Sequence, residues 1–342
     1  MTRCLPIIAT LSLAALAITS CDETGPTQPT TVDQPANTPD FALAANSWTT
    51  KASIPTPRYS HALGVANNSL GQPVIYAFGG TEDSPTWNFP TSSVQAYNAA
   101  TNTWADMARM PVGLFEANGV GLIGGRLYIP GGKSNGGDGT EYAPYLFVYD
   151  PRSDTWSQKA DLPRLVARGI TGVIDGKLYV LTGECSDCAR RITHRLYRYD
   201  PATNVWDTSL PWCPQAHMDG AGGVINGKFY VAGGVGRDGA LTKQLHIYDP
   251  ATNKWTAGAS MPTARASGDG AVLNGKLFVL GGYDRVRTVE AYDPVRNVWA
   301  SKAPMPTGRH YLAVARYTLN GTSRILAVGG VGGPAVNESY TP

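Results

Sequence analysis

The feature that most constrains this chain is an internal repeat of a tyrosine, a short turn-forming run and a tryptophan. The repeat occurs five times: YNAATNTW (97–104), YDPRSDTW (149–156), YDPATNVW (199–206), YDPATNKW (248–255) and YDPVRNVW (292–299). Its tryptophans recur every 44 to 52 residues. A period of this length indicates one supersecondary unit that buries its apolar surface against copies of itself.

A second pattern falls between these repeats, an apolar run that ends in paired glycines. The runs are YAFGG, YIPGG, YVAGG, FVLGG and LAVGG, ending at Gly80, Gly132, Gly234, Gly282 and Gly330, and YVLTG, ending at Gly183, takes the remaining place. They are rich in β-branched and aromatic residues and too short for helices, so they predict buried strands. The paired glycines predict positive φ or close backbone approach where each strand ends.

Together these motifs resemble the kelch repeat, in which each unit forms one four-stranded blade of a β-propeller. The resemblance implies an all-β, six-bladed kelch β-propeller over residues 46–342. The chain enters this span with ANSW (45–48) and leaves it with ESYTP (338–342), which has the tyrosine but no tryptophan. We therefore expect the N-terminal strand around Trp48 to close the last blade, which removes exposed strand edges.

The N-terminus has the pattern of an export signal. Arg3 precedes a short apolar run from Leu5 to Ile18, and the run leads to Cys21. This resembles the bacterial lipobox, which implies a signal peptide over 1–20, a lipidated Cys21 and a disordered Thr/Pro-rich tether over 21–45. The protein is then a lipid-anchored component of the bacterial cell envelope, on the periplasmic side or the cell surface. An ordinary secretory signal with unmodified Cys21 is the alternative.

The charge balance argues against a nucleic-acid partner. The formal net charge is +2 and no basic tract is present. We expect a monomer that uses no cofactor and touches the membrane only through the lipid anchor.

Binding is expected on one face of the propeller. Antiparallel strands alternate in direction, so the loops between second and third strands share a face with the blade-to-blade links. Four of these loops are long, at 81–93, 133–144, 184–194 and 235–243. Variable loops on a rigid scaffold are where binding and catalysis usually occur.

Three cysteines belong to this face. We predict that Cys213 pairs with Cys185 or Cys188, which would staple the third loop to the neighbouring link. A Cys/His metal site that uses His194 and His217 is the alternative.

The second of the long loops, 133–144, offers oxygen ligands for calcium through Asn135, Asp138 and Glu141, although no calcium motif matches. We predict no metal.

Glu184 and Arg190 are the candidate catalytic residues. The segment TGECSDCAR resembles a Gly-Glu…Arg stretch in the N-acetylneuraminate epimerases, periplasmic six-bladed kelch proteins that interconvert the anomers of sialic acid. The resemblance implies that Glu184 transfers protons and that Arg190 binds the carboxylate of the sugar acid. An ordinary surface loop is the alternative reading.

The starts of the innermost strands supply the candidate ligand-binding residues at the channel mouth. These are Arg168, Asp219, Asp269, His217 and His61. Arg58, Arg265 and Arg309 share one register, in PTPR, PTAR and PTGR, and are predicted to be structural.

Two functional classes follow from these residues. The first is a membrane-tethered, non-enzymatic binding module whose loop-rich face takes a protein or glycan ligand in the envelope. The second is a sialic-acid-type sugar mutarotase that uses Glu184 and Arg190. The motifs specify the scaffold and say little about chemistry, so we favour the binding module.

Overall fold

The protein is an all-β, six-bladed propeller. A computed structural model describes residues 45–83, 89–135, 141–188 and 191–342. Within these residues, six four-stranded antiparallel sheets follow one another along the chain. The predicted fold class is therefore confirmed. The predicted signal peptide, Cys21 and the tether up to residue 44 lie outside the described residues and stay predictions.

The blades are numbered in chain order, and their strands are given from the innermost to the outermost. Blade 1 has Ala62–Asn67, Pro73–Phe78, Val94–Asn98 and Thr103–Met107; blade 2 has Gly121–Ile123, Arg126–Pro130, Leu146–Asp150 and Thr155–Lys159; blade 3 has Ile170–Ile174, Lys177–Leu181, Leu196–Asp200 and Val205–Asp207. Blade 4 has Ala221–Ile225, Lys228–Ala232, Leu245–Asp249 and Lys254–Gly258; blade 5 has Asp269–Leu273, Lys276–Leu280, Val289–Asp293 and Val298–Ser301; blade 6 has Ala313–Leu319, Thr322–Val328, Asn337–Thr341 and Ser47–Thr50.

Two short two-stranded sheets join a blade-to-blade link to the segment that follows the glycines of the second strand: Arg58–Tyr59 with Thr81–Glu82, and Val166–Ala167 with Glu184–Cys185. A third joins Lys133–Ser134 to Glu141–Tyr142 within the long loop of blade 2. A 3₁₀ helix spans Tyr283–Arg285. Across the described ranges, no helix has the length and apolar character needed to cross a membrane.

The two chain ends meet in blade 6. The strand Ser47–Thr50 pairs antiparallel with Asn337–Thr341 and places Trp48 opposite Tyr340. Their ring centroids are 5.3 Å apart. The Trp48 indole N–H donates to the carbonyl of Ala303 at 2.9 Å. The predicted closure around Trp48 is therefore confirmed.

The repeated tyrosines and tryptophans hold the blades together. In blade 3, the Tyr199 hydroxyl donates to the Asn204 side chain at 2.7 Å, and the Trp206 indole donates to the carbonyl of Ala160 in the link that enters the blade, at 2.9 Å. The indoles of the other five blades donate to link carbonyls in the same way. These residues have the structural role that their periodicity predicts.

Apolar side chains fill the layer between each pair of neighbouring sheets. The layer between blades 2 and 3 contains Leu146, Val148 and Leu178, and the layer between blades 3 and 4 contains Leu181, Leu196 and Phe229. The apolar faces of the sheets pack against each other between blades. Polar groups lie instead at the ends of the innermost strands, where the central cavity opens.

Candidate functional site

A closed ring of backbone hydrogen bonds surrounds the propeller axis. Its six members, which we call the channel ring, are Ser60, Glu116, Arg168, Asp219, Ser267 and Tyr311. The amide of each member donates to the carbonyl of the member in the preceding blade at 2.7–3.0 Å, and Ser60 donates to Tyr311 to complete the circle. All six have φ between 52° and 58°. Left-handed backbone at residues other than glycine costs energy and tends to cluster at functional sites.

All members of the channel ring line one cavity at the propeller axis. The ring fixes the backbone of each member, so the identity of its side chain decides what the cavity presents. Blades 2, 3 and 4 contribute Glu116, Arg168 and Asp219, whereas blades 1 and 5 contribute serines. The charge is therefore concentrated on one side of the cavity.

Five side chains on that side form what we call the charged cluster: Lys133, Glu116, Glu184, Arg168 and Asp219. Lys133 Nζ lies 2.9 Å from a Glu116 oxygen and 2.7 Å from a Glu184 oxygen. Arg168 pairs with Asp219, and its Nη1 lies 3.6 Å from Glu184. The five side chains are 8–15% exposed. Two cations face three carboxylates, so the cluster has a formal charge of −1 and the charges offset one another internally.

Glu184, one of the two predicted catalytic residues, is held as a carboxylate. Burial raises its pKa, but hydrogen bonds from Lys133 and from the Tyr142 hydroxyl outweigh burial and hold the pKa below its usual range. A carboxylate with a lowered pKa and two saturating donors is a weak proton acceptor. Arg190, the other predicted catalytic residue, lies outside the described residues, as does Asp138 of the calcium alternative.

Arg168 is held by partners within the protein through its Nε and Nη2. Its Nε donates to Asp219 at 2.9 Å and its Nη2 donates to the Tyr311 hydroxyl at 2.9 Å. The Tyr311 hydroxyl in turn lies 2.8 Å from that of Tyr283, which extends the network toward blade 5. Burial lowers the pKa of Arg168, but the neighbouring carboxylates, Asp219 foremost, raise it above its ordinary value.

Asp269 and His61 line the same cavity, as predicted for ligand-binding residues. The Asp269 carboxylate accepts the amides of Gly270 and Val314, each at 2.7 Å, and so joins blade 5 to blade 6. Burial raises the pKa of Asp269 to about 7. Burial, together with Arg58 and Arg309, lowers the pKa of His61 to about 3, which leaves a neutral imidazole. Whether either residue touches a ligand stays a prediction.

The three arginines in the PTPR, PTAR and PTGR segments are structural, as their register predicts. Arg265 and Arg309 pair inside their blades with Glu290 and Glu338, each at 2.8 Å or less. Arg58 donates to the side-chain oxygen of Gln95 at 3.0 Å. These guanidinium groups enter the blade instead of the cavity.

His217, predicted to bind a ligand at the channel mouth, does not line the cavity. It stands two residues before the channel ring, in the register of the structural arginines, so its side chain enters blade 4. One ring nitrogen lies 2.6 Å from the carbonyl of Gly233 and the other 2.8 Å from His246. The prediction that His217 lies at the channel mouth is therefore wrong. Burial lowers the pKa of His217 to about 4.

The predicted pairing of Cys213 is also wrong. Cys185 and Cys188 are bonded to each other, with Cα atoms 5.6 Å apart, and Cys213 is a buried free thiol. Cys185 and Cys188 pack in the layer between blades 2 and 3, whereas Cys213 packs in the layer between blades 3 and 4, so the sheet of blade 3 separates them. Burial raises the pKa of Cys213 to about 12.

Sequence reasoning missed Lys133, Tyr142 and Tyr311. A signal for two of them was available in the repeat. Lys133 directly follows its paired glycines just as Glu184 follows Gly183, and Tyr311 stands two residues after Arg309 just as Ser60 stands two after Arg58. Aligning the repeats on these registers would have placed Tyr311 at the cavity and Lys133 in the register of Glu184. Tyr142 carries no such signal, because it lies in a loop whose length varies between blades.

Comparison with protein-family models identifies the propeller class. The family model described as the Attractin/LZTR1 beta-propeller matches residues 31–283, and the Kelch motif model matches residues 264–306. The solved structure of YjhT superposes with a TM-score of 0.68 over 85% of this chain and 96% of that one, at 19% sequence identity. At that identity the likeness concerns the fold alone.

Curated relatives are kelch proteins of greater length. Kelch-like protein 35 of Mus musculus is 27% identical over 218 residues, which is 52% of this chain and 36% of that protein. Kelch-like protein terF of Aspergillus terreus is 28% identical over 187 residues, which is 52% of this chain and 39% of that protein. The matched region therefore spans little more than a third of these relatives.

Proposed function

Because the chain belongs to the Attractin/LZTR1 β-propeller family, we propose that it is a non-catalytic binding module whose loop-rich face takes a protein partner. The partner lies in the bacterial cell envelope, where the propeller is tethered through lipidated Cys21. Kelch propellers generally mediate protein interactions, and Glu184, the predicted proton-transfer group, is held ionised by hydrogen bonds from Lys133 and Tyr142.

One observation carries the choice of a protein partner. Large apolar side chains are exposed on the face that bears the long loops and the blade-to-blade links. They are Phe89 (51%), Leu165 (39%), Trp212 (51%), Leu241 (44%) and Tyr283 (38%). They come from five different loops or links. Exposed aromatic and large apolar side chains are typical of protein-binding surfaces.

Site-specific photo-crosslinking tests this proposal. A photoreactive residue at Trp212 is expected to capture a discrete envelope protein. The same residue at Val295, which is 90% exposed in the outer turn of blade 5, serves as the matched control and should capture far less. Equal capture at both positions, or capture at Val295 only, contradicts binding by the loop-rich face.

The tether is tested separately. Cys21→Ser should move the protein from the membrane fraction to the soluble envelope or block its processing, because the lipid is the proposed anchor. The unfolding free energy of the propeller should not change. Unchanged membrane association in this variant contradicts the lipid anchor.

A sugar mutarotase is the second candidate function. The observation that favours it is the position of Glu184, which lies within 3.6 Å of an arginine, Arg168, and Arg168 lines the axial cavity. One-dimensional NMR of freshly dissolved sialic acid tests it directly. Faster anomer interconversion that disappears in Glu184→Gln would establish the activity and overturn the non-catalytic proposal.

A further inference from the structure

A cluster of metal-ligating side chains lies inside blade 4, away from the charged cluster. In blades 5 and 6 the arginine of the link pairs with a glutamate of the third strand. Blade 4 has His217 and His246 in these two registers, and Cys213 lies beside them. Three residues, one cysteine and two histidines, whose side chains bind soft or borderline metals therefore occupy the place of a structural ion pair.

The fold itself does not require polar groups at this place. In blade 2 the two registers hold Leu114 and Phe147, and in blade 3 they hold Val166 and Tyr197. Apolar side chains thus fill the equivalent space in two of the six blades. Two buried imidazoles and a thiol in blade 4 are therefore not explained by packing.

The geometry fits chelation. The ligand atoms of Cys213, His217 and His246 all lie within 4.8 Å of one another, and the residues are only 0%, 1% and 7% exposed. His217 Nδ1 donates to the carbonyl of Gly233 at 2.6 Å, so its Nε2 is unprotonated and accepts a hydrogen bond from His246 Nδ1 at 2.8 Å. A metal ion between the two rings would take the place of that proton, which moves to the other nitrogen of His246. A ring nitrogen fixed on a backbone carbonyl is the usual way in which metal-binding histidines are oriented. His194, part of the metal site considered from the sequence, instead contacts the carbonyl of Cys213 and is not part of this group.

The net charge of the metal with its three ligands distinguishes a monovalent from a divalent ion. The group contains one cysteine and no carboxylate. A divalent ion bound by one thiolate and two neutral imidazoles has a net charge of +1, and an uncompensated charge in a dry interior is costly. A monovalent cuprous ion with the same ligands is neutral. Three soft or borderline ligands also suit copper(I), whereas zinc usually takes four ligands.

We propose that Cys213, His217 and His246 form a buried three-coordinate site for copper(I). Binding displaces the proton of the Cys213 thiol to solvent, and no change in the oxidation state of the metal is required. Cys213 directly follows Trp212 in a link of the loop-rich face, but the three proposed ligands are buried inside the propeller and do not belong to the charged cluster.

Competition for copper(I) against bicinchoninate, performed anaerobically on the full-length protein, tests the proposal. Wild-type protein should withdraw one more equivalent of copper(I) than Cys213→Ser. X-ray absorption should show two nitrogen ligands and one sulfur ligand for that equivalent. Copper(I) should raise the melting temperature of wild-type protein by a few degrees and that of Cys213→Ser not at all.

A matched variant separates metal binding from folding. The double substitution H217R/H246E rebuilds the ion pair of blades 5 and 6, so the propeller should fold and bind no copper at this site. Replacing Cys185 and Cys188 by alanine should leave the site intact. Equal copper uptake by wild-type protein and Cys213→Ser would overturn the proposal. So would a site that prefers zinc to copper(I) when both are offered.

Discussion

Blades 3 and 6 share a strand order and a repeat motif, yet they place their charges in different parts of the blade. In blade 6, Arg309 and Glu338 pair inside the sheet, with side chains 0% and 3% exposed. In blade 3 the same registers hold Val166 and Tyr197, and the charged residues stand two positions later, at Arg168, and after the glycine, at Glu184. A shift of two residues along the link thus moves the arginine from the core of the blade to the cavity.

The two blades also differ in how the chain builds them. Blade 3 is formed by one continuous segment, whereas blade 6 takes its outer strand from the other end of the chain. Blade 6 therefore depends on a buried ion pair and on a distant strand for its stability. Blade 3 depends on neither. Its loops and cavity residues are therefore not needed for the stability of the blade and can bind a ligand. We expect perturbations to affect stability strongly in blade 6 and weakly in blade 3.

The largest effect is expected from removing the strand that closes blade 6. Deleting residues 22–50 removes Trp48 and exposes the edge of Asn337–Thr341, so the unfolding free energy should fall by more than about 5 kcal/mol, or folding should fail. Deleting residues 22–44 leaves the strand Ser47–Thr50 in place and is the control. Thermal melts in which the two deletions behave alike would contradict closure by this strand.

The next effect concerns the buried ion pair of blade 6. Glu338→Ala leaves the Arg309 charge without its partner and should lower the unfolding free energy by about 3–5 kcal/mol, measured by chemical denaturation. The double substitution R309L/E338F introduces the residues found at these registers in blade 2 and should recover most of that loss. Equal losses of unfolding free energy in the single and double variants would contradict this prediction, because the residues of blade 2 would then be unable to replace the ion pair of blade 6.

A smaller, pH-dependent effect is expected at Asp269, where blade 5 meets blade 6. Its pKa is raised to about 7 in the folded protein, so between about pH 4 and 7 the folded state binds more protons than the unfolded state. Stability should therefore fall as pH rises through this range. The side chain of Asp269→Asn cannot titrate. The unfolding free energy of this variant relative to wild type should therefore increase by about 2–4 kcal/mol between pH 4 and 8. Parallel stability profiles for the two proteins would contradict the raised pKa.

The smallest effect is expected in blade 3. Replacing Cys185 and Cys188 by alanine removes a disulfide that closes only a short loop, so the loss should be about 2 kcal/mol or less. Peptide mapping of the non-reduced wild-type protein should recover a Cys185–Cys188 bond and a free Cys213. Recovery of a peptide that links Cys213 to either cysteine would restore the pairing expected from the sequence and contradict the separation of the two layers.

The sequence by itself determined the propeller, the number of blades and the closure at Trp48. These follow from a local pattern of apolar runs, turns and aromatic residues that repeats along the chain, and each repeat makes the same contacts with its neighbours. The register of Arg58, Arg265 and Arg309 likewise indicated their structural role, because a periodic residue in a periodic fold meets the same surroundings in each blade.

Only the tertiary structure decided where the non-repeating side chains meet. Lys133 and Glu184 are 51 residues apart and pair because blades 2 and 3 pack side by side. Cys213 lies close in sequence to Cys185 and Cys188, yet the sheet of blade 3 separates them, and it meets His246 of the third strand instead. The physical reason is that strand direction and the side of the sheet on which a residue lies, not distance along the chain, select its neighbours.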